Sequence, residues 1–198
     1  RDFFKKAPSP EDLKPYIQEA QYIDWCGVSL ATTINQAFTD LFQKLTDGTD
    51  IRIMIIAPTK ENLQSVAKRS ESGSVKYYED RLEASLGDIQ RLYRKWQEYN
   101  KTYKNKAGKL AIGLLPYTPS FGLLSFTSSK NRRVIMVEIY QHHKGYERSP
   151  HFILNHENDE DWVEYFSTQF EEMWGRTTPW SPDRLASPKT RVKKINGG

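Results

Sequence analysis

The run Ile51-Arg52-Ile53-Met54-Ile55-Ile56-Ala57 constrains this chain more than any other segment. Six of its seven side chains are apolar, and four of those are β-branched isoleucines. Seven residues are too few for a buried helix, and β-branching favours the extended chain. A strand wet on one face would alternate. A continuous apolar strand needs cover on both faces, which helices supply in α/β folds. The flanking segments are read from that fixed point.

Upstream, Pro8-Ser9-Pro10-Glu11-Asp12-Leu13 has the form of a helix entry, with Ser9 placed to cap and Pro10 at the first helical position. Pro15 is expected to limit that helix. Tyr22 to Val28 reads as a short strand ending in a Gly27 turn. Ile34, Phe38, Leu41, Phe42 and Leu45 then recur at helical spacing, and Gly48 follows as a C-cap. Downstream, Thr59 is an N-cap for a helix over Lys60 to Arg69. Ser70 to Ser74 is a break. Leu82, Leu86, Ile89, Tyr93 and Trp96 form the stripe of a long helix, with Gly87 as its candidate kink. The second half changes period. Lys109 to Leu115, Phe121 to Thr127, Arg133 to Tyr140 and His151 to Asn155 are four strands, punctuated by Pro116, Pro119, Asn131, Gly145 and Pro150. A last helix starts at Asn158-Asp159 and carries Trp162, Phe166, Phe170, Met173 and Trp174 on one side. Helical spacing makes these aromatics core or a dimer seam. The expected fold is therefore α/β: one mixed β-sheet covered by helices on both faces.

With 198 residues the chain fits one domain, expected over 1–176, followed by a basic, flexible tail over 177–198. Residues 181–198 hold five basic side chains and one acidic, and the other 180 balance at 24 of each sign. A nucleic-acid-binding body would show a basic face. Nucleic acid is thus expected only through the 181–198 tail. No apolar run approaches the length of a membrane span. The opening Arg1-Asp2-Phe3-Phe4 has neither Met nor an apolar leader, so a fragment of a longer parent chain is expected. The lone Cys26 excludes an internal disulfide and fits a reducing cytoplasm.

The familiar enzyme signatures are missing: no Gly-x-Gly-x-x-Gly, no phosphate-binding Gly-x(4)-Gly-Lys loop, no Gly-x-Ser-x-Gly elbow. Cys26 before Gly27 sits where a nucleophile could stand, but free Cys is usually buried and structural. His142, His143, His151 and His156 cluster in sequence. They make a polar hairpin around Lys144-Gly145-Tyr146 unless some of them converge on a metal. Glu138 interrupts the strand Val134 to Tyr140. A charge there needs either an ion pair or a polar pocket. Asp159, Glu160 and Asp161 are accounted for by a helix N-terminus. Lys130-Asn131-Arg132-Arg133 is a basic turn, either solvated or touching a phosphate.

Tyr22 to Ser29, the helix through Leu45, and Gly48-Thr49-Asp50-Ile51-Arg52-Ile53 together resemble the opening half of phospholipase D-like domains. In that superfamily a strand, a helix and a Gly-x-x-(Val/Ile)-Arg-(Val/Ile) strand precede the catalytic segment. The closing pattern is similar to non-catalytic bacterial members: Tyr140, the strand Pro150 to Leu154, then Tyr165-Phe166 through Phe170 to Trp174. The resemblance spans roughly residues 12–176. Active members carry His-x-Lys-x(4)-Asp, and this chain has no such spacing. The segment aligns best on Ser120 to Thr127, putting Ser120 for the His, Gly122 for the Lys and Thr127 for the Asp. None can do that chemistry.

The resemblance implies a non-catalytic sensor or interaction module of a larger bacterial regulatory or defence protein. Its partners would be other domains of the parent chain, a small-molecule or phosphate-containing ligand, and a second copy in a homodimer contacting through Pro116, Tyr117, Pro119 and Phe121. No cofactor and no metal are expected. In open α/β sheets ligands sit beyond the carboxyl ends of parallel strands. The expected site there comprises Ser29, Thr59, Ser120 and Thr127, with Glu138 and Tyr140 behind. The competing expectation is a phosphodiesterase or nuclease with an atypical site of His142, His151 and Glu138.

Overall fold

The computed structural model describes residues 9–71, 73–103, 107–130, 132–140 and 150–182. Helix α1 is Pro10–Glu19. Ser9 Oγ accepts from Asp12 N–H at 3.3 Å, and the Asp12 carboxylate accepts from Ser9 N–H at 2.9 Å. This reciprocal capping box fixes the start. The helix runs past Pro15, against expectation. The Pro ring lies on the exposed side, while Leu13 and Ile17 anchor the other side in the core.

Strand β1 is Ala20–Cys26, helix α2 Ala31–Thr46 and strand β2 Asp50–Ile56. Gly48 turns the chain between α2 and β2 at φ +95°, a conformation that suits glycine. Helix α3 is Lys60–Arg69, and Thr59 caps it by accepting from Asn62 N–H at 3.3 Å. Helix α4, Val75–Thr102, is continuous through Gly87. Strands β3 Leu110–Leu115, β4 Phe121–Ser128, β5 Arg133–Ile139 and β6 His151–Asn155 follow. Helix α5 is Glu160–Trp174, and β7 is Thr178–Trp180.

These strands form one mixed seven-stranded sheet in the order β6-β5-β4-β1-β2-β3-β7. Strands β1, β2 and β3 are parallel, and all the other pairings are antiparallel. As expected of β2, both faces of its apolar run are covered. Ile51, Ile53 and Ile55 join Ile23, Trp25 and Ile112 under Ile17 of α1, Leu41 of α2 and Ile89 of α4. Met54 joins Cys26, Leu123 and Val137 beneath Phe166 and Phe170 of α5. The α/β fold with helices on both faces is thus observed.

Four helices, α1 to α4, cover the first face. Among the described residues the second has only α5, whose 15 residues span about 22 Å. It leaves part of that face open. The α5 stripe divides: Phe166 and Phe170 are core, but Trp162 is 57% exposed. Its ring lies against Tyr165 and Phe166 on the outside of the helix.

The domain boundary moves past 176. Thr178–Trp180 pairs antiparallel with β3, placing Trp180 opposite Ile112, and Trp180 is 7% exposed. Pro179 is tolerated because β7 is the sheet edge. Three residues carry no alternation, so this strand had no periodic signature. The expected tail over 183–198 lies outside the described residues. Among the described residues no helix is long and apolar enough to cross a membrane.

Candidate functional site

The carboxyl ends of β1 and β2 lead into the loop Gly27–Leu30 and into Ala57-Pro58-Thr59. Because β4 is antiparallel to β1, its start lies at this same edge, with Leu123 opposite Cys26. The end of β5 and the start of β6 join it: Gly122 pairs with Glu138, and Glu138 with His151. Five strands and loops therefore converge here.

Tyr140 occupies the centre. Its Oη accepts from Val28 N–H at 3.1 Å. Arg69 stands over the Tyr140 ring at 5.4 Å and donates to Pro119 O at 2.9 Å. A β-carbon on Gly122 would stand 2.8 Å from Tyr140 Oη, and one on Gly27 would stand 3.1 Å from it and 2.7 Å from Leu30 Cδ2. At Gly122 this approach leaves no room for a side chain unless Tyr140 shifts, and at Gly27 Leu30 and Tyr140 would have to give way. Leu30 adopts φ 57°, the one left-handed non-glycine among the described residues, and α2 begins there with no side-chain cap. A branched side chain in that region is strained and is held by its surroundings.

Several expected residues do meet at this edge. Ser29 is buried at 4% exposure beside Val28, and the Ser120 carbonyl accepts from Tyr140 N–H at 3.2 Å, although the Ser120 side chain faces solvent. Glu138 and His151 face each other, with Nε2 to Oε1 3.9 Å. Thr59 is taken up with capping α3. Thr127 does not belong here. It pairs with Tyr22 at the start of β1, six residues along β4 from Phe121 and so about 20 Å away. Placing Ser120 and Thr127 together ignored that an eight-residue strand separates its ends. His142 lies outside the described residues, so its convergence with His151 and Glu138 is not described.

Of the apolar groups expected at a dimer contact, Pro116 and Tyr117 are exposed, Pro119 is buried, and Phe121 is half-buried edge-on to Phe166. Cys26 is fully buried, and burial pushes its thiol up to about 12, so it is no nucleophile at neutral pH. Among the described residues no group of three or more His, Cys, Asp or Glu is placed to hold a metal.

The opposite edge has its own polar architecture, which the sequence reading missed. On the α5 face, Arg52 Nε donates to Asp24 Oδ1 at 2.6 Å, and its two Nη groups donate to Glu171 at 2.6 and 3.0 Å. The guanidinium also lies over Phe170 at 4.8 Å and Trp174 at 5.4 Å. Burial works against the charge on Arg52, but the hydrogen bonds it donates to Glu171 and Asp24 prevail and raise its pKa. Arg52 in turn holds Glu171 below the usual carboxylate range, against partial burial. The arginine of the Gly-x-x-Ile-Arg-Ile strand thus clamps α5 to the sheet. Next to it, where α5 stops covering the face, lies a groove of about 450 Å³ lined by Tyr22, Asp50, Lys109, Thr127 and Arg133.

A scan against models of known protein families gives no match to this chain. A search of curated proteins gives none either.

Proposed function

We propose that this chain is a non-catalytic phospholipase D-like domain, acting by binding as a sensor or interaction module of a longer regulatory protein. The observation that carries this reading is the environment of Gly122. Under the resemblance Gly122 stands where active members hold a phosphate-binding Lys. Here even a β-carbon would meet Tyr140 Oη at 2.8 Å, and that hydroxyl is fixed by Val28 N–H. The space a substrate phosphate would need is filled by the chain's own tyrosine.

One observation favours chemistry instead. Glu138 and His151 oppose each other with Nε2 to Oε1 3.9 Å, an ion-pair distance longer than a hydrogen bond, and His151 is 8% exposed, which sets a carboxylate beside a buried imidazole. The test is incubation of the full chain with bis(p-nitrophenyl) phosphate and with single- and double-stranded DNA, with and without magnesium or manganese. The binding reading expects no turnover above buffer. Turnover that disappears in His151→Ala would overturn it and establish the Glu138–His151 pair as the reacting centre.

A further inference from the structure

The first row of side chains on the open part of the α5 face crosses five strands. Tyr22 of β1 pairs with Asp50 of β2 and with Thr127 of β4, and Thr127 pairs with Arg133 of β5. On the far side Ile51 pairs with Leu110, which sets Lys109 beside Asp50, and Lys109 N–H donates to Asp50 Oδ1 at 2.8 Å. In-register residues on neighbouring strands share a face, so all five line the same groove. Its two ends are cationic. Lys109 and Arg133 are four strand spacings apart, about 19 Å between backbones, and their long side chains lean over the row between them.

The hydrogen-bond partners decide what this groove can take. The carboxylates on its floor are engaged: Asp24 with Arg52, and Asp50 with the Lys109 amide. The cations at its ends are not. Arg133 donates Nε to Thr127 Oγ1 at 3.0 Å, and among the described residues no carboxylate lies within ion-pair distance of its fork. Thr127 is 6% exposed and therefore fixed. Among the described residues neither Nη has a hydrogen-bond partner, and Glu171, which Arg133 helps to hold below the usual carboxylate range, is the carboxylate that feels its charge; the bond through Nε orients the fork, an arrangement suited to two-point recognition of an oxyanion. Arg132, its neighbour, is paired with Glu157 at 3.3 Å and plays no part. Lys109 is exposed, and among the described residues its ammonium has no carboxylate within ion-pair distance. Tyr22, half exposed, offers a ring and a hydroxyl midway.

We propose that this groove binds a small elongated molecule with an anionic head at each end, one oxyanion head held by the fork of Arg133 and the other by Lys109, with its body lying across Tyr22. Thr127 is a positioning residue acting through Arg133. The volume suits a small organic molecule. Carboxylate and phosphate heads present the same acceptor pair to an arginine fork, and the probes below separate them. The site lies at the opposite sheet edge from Gly122 and Tyr140, so it stands or falls independently of whether the domain is catalytic.

The test is calorimetric titration of the full chain at fixed ionic strength with three probes: inorganic phosphate, pimelate and fructose 1,6-bisphosphate. One two-headed probe is expected to bind at least about tenfold tighter than inorganic phosphate, and which one does so identifies the head. Arg133→Gln should weaken that probe about tenfold or more, and Lys109→Gln, at an exposed position that does not endanger folding, by a smaller factor. Thr127→Val should weaken binding while circular dichroism stays unchanged. Arg69→Gln, at the other edge, should leave it unaltered. Two outcomes would overturn the proposal: no binding of either two-headed probe at millimolar concentration, or binding indifferent to both Arg133→Gln and Lys109→Gln in folded protein.

Discussion

The two ends of the central sheet are built from the same strands yet treat space in opposite ways. At the carboxyl edge of the parallel strands, Tyr140 reaches from β5 to the amide of Val28, and Gly27 and Gly122 have given up their side chains to let it pass. At the amino edge, Lys109, Tyr22, Thr127 and Arg133 line an open groove. Ligands of open α/β sheets sit beyond the carboxyl edge. Among the described residues, Tyr140 occupies the centre of that edge, and the groove flanked by Lys109 and Arg133 is at the other. Topology locates where a site can be; occupancy by the chain's own side chains decides whether one is.

The largest disturbance is to remove the border strand of the sheet, β7. Truncation after Arg176 deletes β7 and the buried Trp180, a loss expected to cost about 3–5 kcal/mol from removal of a buried Trp alone. Ending the chain after Pro182 instead should leave thermal stability nearly unchanged. Equal melting temperatures for the two truncations would show that Trp180 contributes nothing to the core.

A step smaller is the Arg52 clamp. Arg52→Met keeps the packing on Phe170 but leaves Asp24, 8% exposed, without its cation, and is expected to cost about 2–4 kcal/mol as a partly buried pair is broken. The same clamp sets an acid limb. Glu171 is held below its ordinary value of 4.5 in the folded state, so the unfolded chain takes up its proton first as pH falls. That contribution is complete above pH 4.5 and is lost as pH drops through the lower folded value. Urea melts from pH 6 downward should therefore show a stability loss in the wild type below about 4.5 that is smaller in Arg52→Met. An identical acid limb in both proteins would remove Glu171 from the account.

How far the sequence reached follows from the range of each interaction. The β2 run, the Ser9 and Thr59 caps and the Gly48 turn are written within a few residues, and each stands where its local pattern places it. The mixed sheet follows from the element order. The sites needed strand order and register. Tyr140 and Val28 are 112 residues apart, and nothing local in either segment announces their bond. Thr127 could be assigned to the right end only once β4 was known to run antiparallel beside β1. The row from Lys109 to Arg133 exists only after five strands are aligned. One signal did point to it: the basic turn before β5, in which Arg132 is neutralised by Glu157 and Arg133 is left for the groove.

The closed edge makes the smallest prediction and the most direct one. Gly122→Ala should push Tyr140 off the Val28 amide and cost about 1–2 kcal/mol, the range for a displaced hydrogen bond with a partly buried donor left behind. With Tyr140→Phe the hydroxyl is gone, and the next ring atom stands 3.4 Å from the new methyl, an ordinary contact. Gly122→Ala should then be nearly free. The double-mutant cycle, read by urea denaturation of the four proteins, is expected to give a coupling of about 1 kcal/mol between positions 122 and 140. Strict additivity, with Gly122→Ala costing the same in both backgrounds, would mean that Tyr140 does not fill the space beside Gly122 and that the carboxyl edge is open after all.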